Sequence, residues 1–359
     1  MRPSLYTLGV LLTSVATACS EETRPDEPET HTQVPPRPEG AEAGDGSGTM
    51  FAVTKYFIGS TTRDGVASID AWQAYGYDRD DAITKDHFEG HCAVFGAASP
   101  PEVFEDGPGG IDNGFGHHIV PIFSFLSGGG FGDDPDPEPQ NETNAKLGAG
   151  TSALVFYLRD LGPAERYDPI DAFVYEGTGA VDGEWLLRAE SVANPSAATL
   201  DEVLVSGLTH FAKSYVNDGV WVGLEEPGED RVLTVTWTIA GAPLELRIHH
   251  AVVVMELPRT EGDAATGTVS GIVDAEELRE DMRSFVVEVF DEDLCTGSAV
   301  DSLLNQVRQQ ADIMRDGIQD PDQVCDGLSI GFGFEARPAV VRGVAEPAAP
   351  PPDLCAPMP

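Results

Sequence analysis

The chain has 359 residues with 61 acidic and 21 basic side chains, so its formal net charge is −40. Only four of its cations are lysines, namely Lys55, Lys85, Lys146 and Lys213. Because phosphate recognition depends on lysine and arginine, this balance excludes nucleic acid as a partner and disfavours electrostatic docking onto anionic lipid. A hydrophobic content of 41% is typical of a globular protein that can bury a core.

The N-terminus has the pattern of an export signal. Met1 and Arg2 precede an apolar run over residues 5–15, which ends in small residues before Cys19. The run is shorter than the about 20 apolar residues that a membrane span needs. A cysteine at this place resembles bacterial lipoprotein signals, although Ala16 stands where leucine is most common in them. We predict a signal peptide over 1–18, lipidation of Cys19 and a location at the outer membrane or cell surface; the alternative is an ordinary signal with an incidental cysteine.

Composition divides the rest of the chain into further segments. Residues 20–48 contain eight acids and two arginines among many prolines and glycines, so we predict a disordered acidic tether over 19–48. An N-terminal β/α portion is expected over 49–126 and an acidic Gly/Pro loop over 127–150. A β-rich body with two helices should follow over 151–345, and a proline-rich tail over 346–359.

Periodicity predicts the elements of the body in chain order. We expect a strand over 50–58, a short helix over 69–75 after Ser68, and a helical stretch over 115–126 interrupted by Pro121. Strands are predicted over 153–158, 171–175, 185–191, 231–239, 244–256, 266–273 and 328–336, with two short strands over 215–222 joined by a tight turn. Asp274 is expected to cap one helix, and residues 298–314 to form another.

Long strands with few helices predict a mainly β fold with appended helices, arranged as a β-sandwich or jelly-roll-like body. Four cysteines besides Cys19 predict two disulfides in an exported chain, with three pairings open. Since Cys295 and Cys325 flank a helical segment, we favour that pair, which leaves Cys92 with Cys355. These cysteines are too far apart in sequence to predict a structural zinc site.

A G-x-S-x-G pattern at 327–331 matches the nucleophile elbow of α/β-hydrolases. That motif needs a helix after the serine and a histidine later in the chain. Here Ser329 is followed by a Gly/Phe strand pattern, and the last histidine is His250. The pattern therefore indicates a strand.

Two histidines, His87 and His91, are spaced by four residues, as a helix-borne zinc pair would be. Phe88 stands where a zincin has its glutamate, and Gly90 weakens a helix, so a polar turn leading to a disulfide is favoured. The pair is nevertheless the basis of the alternative function, a metal-dependent hydrolase. The adjacent pairs at 117–118 and 249–250 should diverge, so that neither chelates a metal alone.

Two acidic loops have residues suited to calcium, which prefers oxygen ligands on flexible loops. The loop at 77–84 begins as an EF-hand does, but Ala82 and Ile83 break that match. The loop at 106–113 provides Asp106, Asp112 and Asn113 as candidate calcium ligands. The other interpretation is a turn in which Asn113 or Asp112 caps the next helix.

Tryptophans could supply a platform on which a sugar stacks, but aromatic residues that alternate along strands more often belong to a core. The four are Trp72, Trp185, Trp221 and Trp237.

Three segments resemble uncharacterised secreted lipoproteins of myxobacteria and related deltaproteobacteria: DGPGGIDNGFGHHIVPIF (106–123), IMRDGIQDPDQVCDGLSIGFGFEA (313–336) and YGYDRDD (75–81). The resemblance covers about residues 50–345. It implies an exported protein with a single architectural unit, and no catalytic residue. Those relatives look more like an Asp-rich loop at 78–83, where this chain has Ala82 and Ile83.

The sequence thus favours a lipid-anchored cell-surface protein that acts as a binding or structural module. The expected partners are the membrane, through the N-terminal lipid, and a neutral glycan or surface protein. The alternative is a metal-dependent hydrolase that uses His87, His91 and neighbouring carboxylates. No cofactor is predicted except calcium, for which the loop at 106–113 offers ligands.

Overall fold

The computed structural model describes residues 32–86, 89–127, 137–225, 232–260, 262–289 and 298–349. Cys19, His87, Cys295 and Cys355 lie outside these residues, and so does the proline-rich tail from residue 350. In the ranges given, no helix is long and apolar enough to cross a membrane.

Strands make up most of the regular structure. In chain order they are β1 (Thr49–Phe57), β2 (Ala153–Leu158), β3 (Tyr167–Val181), β4 (Glu184–Leu187), β5 (Thr209–Asn217), β6 (Val220–Leu224), β7 (Leu233–Ile239), β8 (Ala242–Glu256), β9 (Ala265–Asp274), β10 (Gly327–Pro338) and β11 (Val340–Val344). The helices are α1 (Pro100–Val103), α2 (Val120–Leu126), α3 (Glu138–Gly148), α4 (Leu200–Leu204), α5 (Ala275–Val289) and α6 (Ser298–Arg308). Short 3-10 turns lie at Ala71–Ala74 and Ala189–Ser191, and a π-helical turn at Phe115–Ile119 precedes α2.

Eight of these strands close into a barrel. The neighbours follow the order β3-β2-β1-β10-β9-β8-β6-β5, and β5 pairs back onto β3. Outside the barrel, β4 pairs with the last residues of β3, and β11 pairs with β4. Strand β7 forms a hairpin with the first half of β8. The mainly β prediction is confirmed, and the β-sandwich prediction is wrong. Inward and outward residues alternate in both architectures, so the sequence pattern does not distinguish them; the β3–β5 pairing does.

Aromatic side chains fill the barrel. Phe156 of β2 packs against Phe334 of β10 at a ring-centroid distance of 5.4 Å and against Trp221 of β6 at 5.8 Å. Trp221 also meets Phe211 of β5. These strands lie on different sides of the ring, so the contacts cross the interior. An eight-stranded barrel is just wide enough for side chains to fill, and this one is packed in that way.

The outer face of β9 and β10 is covered by a segment that we call the cap, consisting of residues 58–86, 89–119 and 311–326. Its chain approaches β10 closely, because a Cβ added at Gly331 would lie 2.3 Å from the carbonyl oxygen of Tyr75. Arg63 donates hydrogen bonds to the Gly267 carbonyl and the Thr268 hydroxyl of β9. β10 is therefore buried on both faces, which explains its continuous apolar and glycine-rich sequence.

One disulfide links the two parts of the cap. It joins Cys92 to Cys325, and a short parallel bridge between Ala93 and Val324 continues the link. The favoured pairing of Cys295 with Cys325 and of Cys92 with Cys355 is therefore wrong. The favoured pairing was based on two cysteines that lie close in sequence on either side of a helix. The observed disulfide instead depends on the packing of two distant cap segments on β10.

Two of the predicted segment boundaries also differ from the structure. From Thr32 on, the supposed tether lies against the body: Arg37 pairs with Asp168 at 2.6 Å, and Tyr215 donates a hydrogen bond to the Pro35 carbonyl. The predicted loop over 127–150 contains helix α3. The side-chain amide of Asn144 accepts a hydrogen bond from the Tyr56 N–H of β1 and donates one to the Tyr56 carbonyl. This tertiary contact stabilises a helix that the polar sequence does not indicate.

Candidate functional site

The cap brings together three carboxylates from two of its loops. One ligand oxygen from each of Asp78, Asp80 and Asp112 lies within 4.8 Å of the others. Asp78 and Asp112 are only 8% and 6% exposed. Carboxylates repel one another, and burial removes the water that would screen them. This arrangement is therefore unfavourable unless protons or a cation neutralise it.

Backbone hydrogen bonds hold the two loops at this distance. Arg79 donates its N–H to Oδ2 of Asp112 at 2.5 Å, and Thr84 donates its N–H to Oδ2 of Asp106, also at 2.5 Å. Gly110 permits the approach, because its φ is +76° and an added Cβ would lie 2.6 Å from the Ala82 carbonyl oxygen. The carboxylates are thus positioned by rigid backbone.

The carboxylates change one another's pKa. Burial, together with the charges of Asp80 and Asp106, raises the pKa of Asp112 well above its usual value. Burial and the charges of Asp80 and Asp312 raise the pKa of Asp106 to about 8. The Asp106 and Asp112 carboxyl groups are also within hydrogen-bonding reach of each other. Without a cation, this pair is expected to retain a proton near neutral pH.

A second layer of polar groups supports the site from β10. Asp312, 8% exposed, accepts hydrogen bonds from the backbone N–H and the hydroxyl of Ser329. Burial raises the pKa of Asp312 to about 7. Gln319 donates to both Oδ2 of Asp80 and the Asp312 carbonyl, so it joins this layer to the three-carboxylate group.

The guanidinium of Arg79 interacts with the charge of Asp112, and it also makes a second contact. It donates a hydrogen bond to the carbonyl of His250, a residue at φ +49° in the β-bulge of β8. Burial lowers the pKa of Arg79, and the charges of Asp112 and Glu225 oppose that shift. Arg79 is thus shared between this carbonyl and Asp112, and among the described residues its one charge does not balance the carboxylates of Asp80, Asp106 and Asp112.

The three predicted calcium ligands have different positions and roles in the structure. Asp112 is one of the three clustered carboxylates, and Asp106 adjoins it. The Asn113 amide instead donates to three backbone carbonyls, those of Trp72, Tyr75 and Gly331, and its oxygen accepts two backbone N–H groups. Asn113 therefore fastens the cap to β10.

Asp78 and Asp80 complete the site, although they belong to a different loop from Asp112. Neither loop alone matches a contiguous calcium motif. The usable signal was that both loops are rich in aspartate within about 35 residues of each other.

The histidines have separate roles. The ring of His91 is 2% exposed, stacks on Phe104 and has its Nε2 3.7 Å from Oδ2 of Asp80. His249 meets Glu277 at 3.2 Å and His250 meets Glu225 at 3.4 Å, so this pair diverges as expected.

The other adjacent pair does not diverge. His117 and His118 stack at a ring-centroid distance of 4.1 Å within the π-helical turn. Burial lowers the pKa of both rings, that of His118 to about 3, so they are neutral.

Two other candidates from the sequence have structural places. Ser329 lies near the start of β10, fully buried, and its hydroxyl accepts a hydrogen bond from the Gly114 N–H while it donates to Asp312. The four tryptophans are at most 6% exposed, so they belong to the core.

The chain matches no protein-family model, no curated protein and no solved structure. Its class is accordingly defined by its own architecture: an eight-stranded, side-chain-filled barrel that carries a disulfide-linked cap with a buried carboxylate cluster.

Proposed function

We propose that this protein is an exported module of the cell surface whose cap binds one divalent cation, with calcium as the best fit. The observation that carries the proposal is the convergence of Asp78, Asp80 and Asp112, with Asp106 close enough for its charge to raise the pKa of Asp112. A cation would replace the proton that Asp106 and Asp112 are expected to retain, and would remove the mutual repulsion of the carboxylates.

Calcium suits the chemistry of this donor set. The donors are carboxylate oxygens on irregular loops, and calcium accepts six to eight oxygens at about 2.3–2.6 Å in flexible geometry. Oxygens within 4.8 Å of one another can share such an ion. The disulfide of the cap is consistent with an oxidising exterior.

Burial favours a structural or binding role for the ion over a catalytic one. Asp112 and His91 are 6% and 2% exposed, so a bare ion can reach them more readily than a substrate. The alternative, a metal-dependent hydrolase with His87 and His91, draws support from the position of His91 beside Asp80.

The cellular setting belongs to the same proposal. We propose attachment through a lipid on Cys19 and a place at the outer membrane or cell surface, as in the myxobacterial lipoproteins that the sequence resembles. The charge of −40 favours neutral or cationic partners, which leaves a neutral glycan or a surface protein as candidates.

Calorimetric titration of the chelator-treated full-length protein tests the cation site. We expect one Ca²⁺ per chain and an affinity at least about tenfold weaker in Asp80→Asn or Asp112→Asn. The control is Asp64→Asn, which changes an exposed carboxylate outside the cluster. Absence of saturable binding and of any thermal shift with Ca²⁺ would contradict the proposal. A stoichiometric transition metal that is lost in His91→Ala would favour the hydrolase instead.

A further inference from the structure

A second feature lies away from the cap, where the start of β7 lies near the middle of β3 and the start of β5. It is a cavity of about 400 Å³. Its walls combine apolar side chains with three carboxylates, and the residues that matter are Leu154, Val174, Leu233, Glu176, Glu190 and Glu245. Cavities of this size at barrel openings commonly hold small ligands.

The polar groups of this cavity are poised to accept hydrogen bonds. The hydroxyls of Thr209, Ser191 and Tyr175 each donate to a backbone carbonyl, so their protons are already engaged. The carboxylates are acceptors when ionised. Apart from the Thr234 hydroxyl, the polar side chains of this lining are therefore acceptors, and a ligand that supplies donors satisfies them.

The charge of the cavity points in the same direction. Glu176, whose side chain is 17% exposed, has Nε of Arg188 3.5 Å from its Oε2. Arg247 also interacts with Glu245, but it pairs with Asp281 and Glu277, so Arg188 and the three glutamates leave a net negative site. Burial raises the pKa of Glu176, the charge of Arg188 lowers it, and the charges of Glu245 and Glu190 raise it to a smaller extent.

The spacing of the carboxylates excludes simple chelation of a metal ion by these three. Among the described residues, Glu176, Glu190 and Glu245 are not a set whose oxygens lie within 4.8 Å of one another, in contrast to the aspartates of the cap. A positive charge that interacts with all three glutamates must therefore belong to a group larger than a metal ion. The apolar walls favour a hydrocarbon part next to that charge.

We propose that this cavity binds a small organic cation, an ammonium group carried on an apolar body. The ammonium would lie among the three glutamates and donate to them, while its hydrocarbon part would contact Leu154, Val174 and Leu233. This site shares no residue with the cation site of the cap, so either can exist without the other.

Calorimetry on the full-length protein near pH 7, with a chelator present to empty the cap, tests the proposal. The probes are hexylammonium and 1-hexanol, which share a chain and differ in charge. We expect saturable binding of hexylammonium with a Kd of about 1 mM or below, and at least about tenfold weaker binding of hexanol. N-acetyl-lysinamide, titrated in parallel, distinguishes a free amine from a lysine side chain as the natural source.

Glutamate variants locate the binding. Glu245→Gln, at an exposed position that leaves the fold intact, should weaken hexylammonium binding about threefold or more, and Glu176→Gln about tenfold. Glu280→Gln, on the exposed face of α5, should leave it unchanged. The proposal is overturned if hexanol binds as tightly as hexylammonium, if neither binds, or if Glu245→Gln and Glu280→Gln behave alike.

Discussion

The substitution Asp106→Asn tests directly whether repulsion between the buried carboxylates of the cap destabilises the fold when no cation is bound. Asparagine is nearly isosteric with aspartate, and its side-chain oxygen can still accept the hydrogen bond from the Thr84 N–H. It removes one negative charge beside Asp112. We expect the variant to be more stable than the wild type near pH 8 when a chelator is present, although most substitutions destabilise proteins.

The size of the effect follows from the pKa. Burial and neighbouring charges raise the pKa of Asp106 from 3.8 to about 8. One pKa unit corresponds to about 1.4 kcal/mol, so ionising this group alone in the fold could cost at most about 4 kcal/mol near pH 7. Sharing of a proton with Asp112 and partial exposure reduce this to about 1–2 kcal/mol. The melting temperature should then rise by roughly 2–6 °C.

The dependence on pH has a definite sign. The folded-state pKa of Asp106 lies above its unfolded value, so its stabilising contribution is complete below about pH 4 and is lost as the pH rises towards 8. Asparagine does not titrate. The stability difference between variant and wild type should therefore be largest near pH 8 and should vanish near pH 4.

Thermal unfolding with a chelator and with excess Ca²⁺, at both pH values, measures these differences. Calcium at about 100 times its Kd should stabilise the wild type by roughly 2.7 kcal/mol and the variant by much less. Asp64→Asn controls for the loss of an exposed charge. The reasoning fails if Asp106→Asn lowers the melting temperature near pH 8, or if its effect does not depend on pH.

Three further predictions follow from the structure. Replacing Cys92 and Cys325 by serine removes a cross-link between residues separated by 233 positions, so the free energy of unfolding should fall by up to about 5 kcal/mol in urea denaturation; an unchanged midpoint would argue against this pairing. Asn113→Ala removes the five hydrogen bonds of the Asn113 amide, two of which join the cap to Gly331 of β10, and should cost about 3 kcal/mol or more in the same assay, whereas a loss below about 1 kcal/mol would show that the cap holds without them. Cys19→Ser should release the protein from the membrane fraction, and a variant that stays membrane-bound would disprove the lipid anchor.

Much of the local structure could be predicted from the sequence. The strand over 153–158 has the predicted bounds, and the alternation of Leu233, Val235, Trp237 and Ile239 with threonines matches a strand with one buried face. Asp274 caps α5 by accepting the N–H groups of its first turn. These features depend on neighbours in sequence, which a periodic pattern records.

Helix ends and the polar segments were predicted less well. The predicted helix over 69–75 is a 3-10 turn at Ala71–Ala74, and the helix expected to reach residue 314 ends at Arg308. Helix α3 has little apolar periodicity and is stabilised by contacts of its polar side chains with β1 and β7. Such contacts come from distant segments and leave no local signal.

The sequence by itself determined the charge, the export pattern at the N-terminus and the order of most strands. Only the tertiary structure decided that the sheet closes, because closure depends on the pairing of β3 with β5 and of β1 with β10. The candidate site likewise depends partly on the sequence and partly on the tertiary structure. The sequence indicated Asp106, Asp112 and Asn113 as candidate ligands within one loop, but the folding of the cap onto β10 placed Asp78 and Asp80 beside Asp112. Charge repulsion and burial act through space, so they become visible only when distances between distant residues are known.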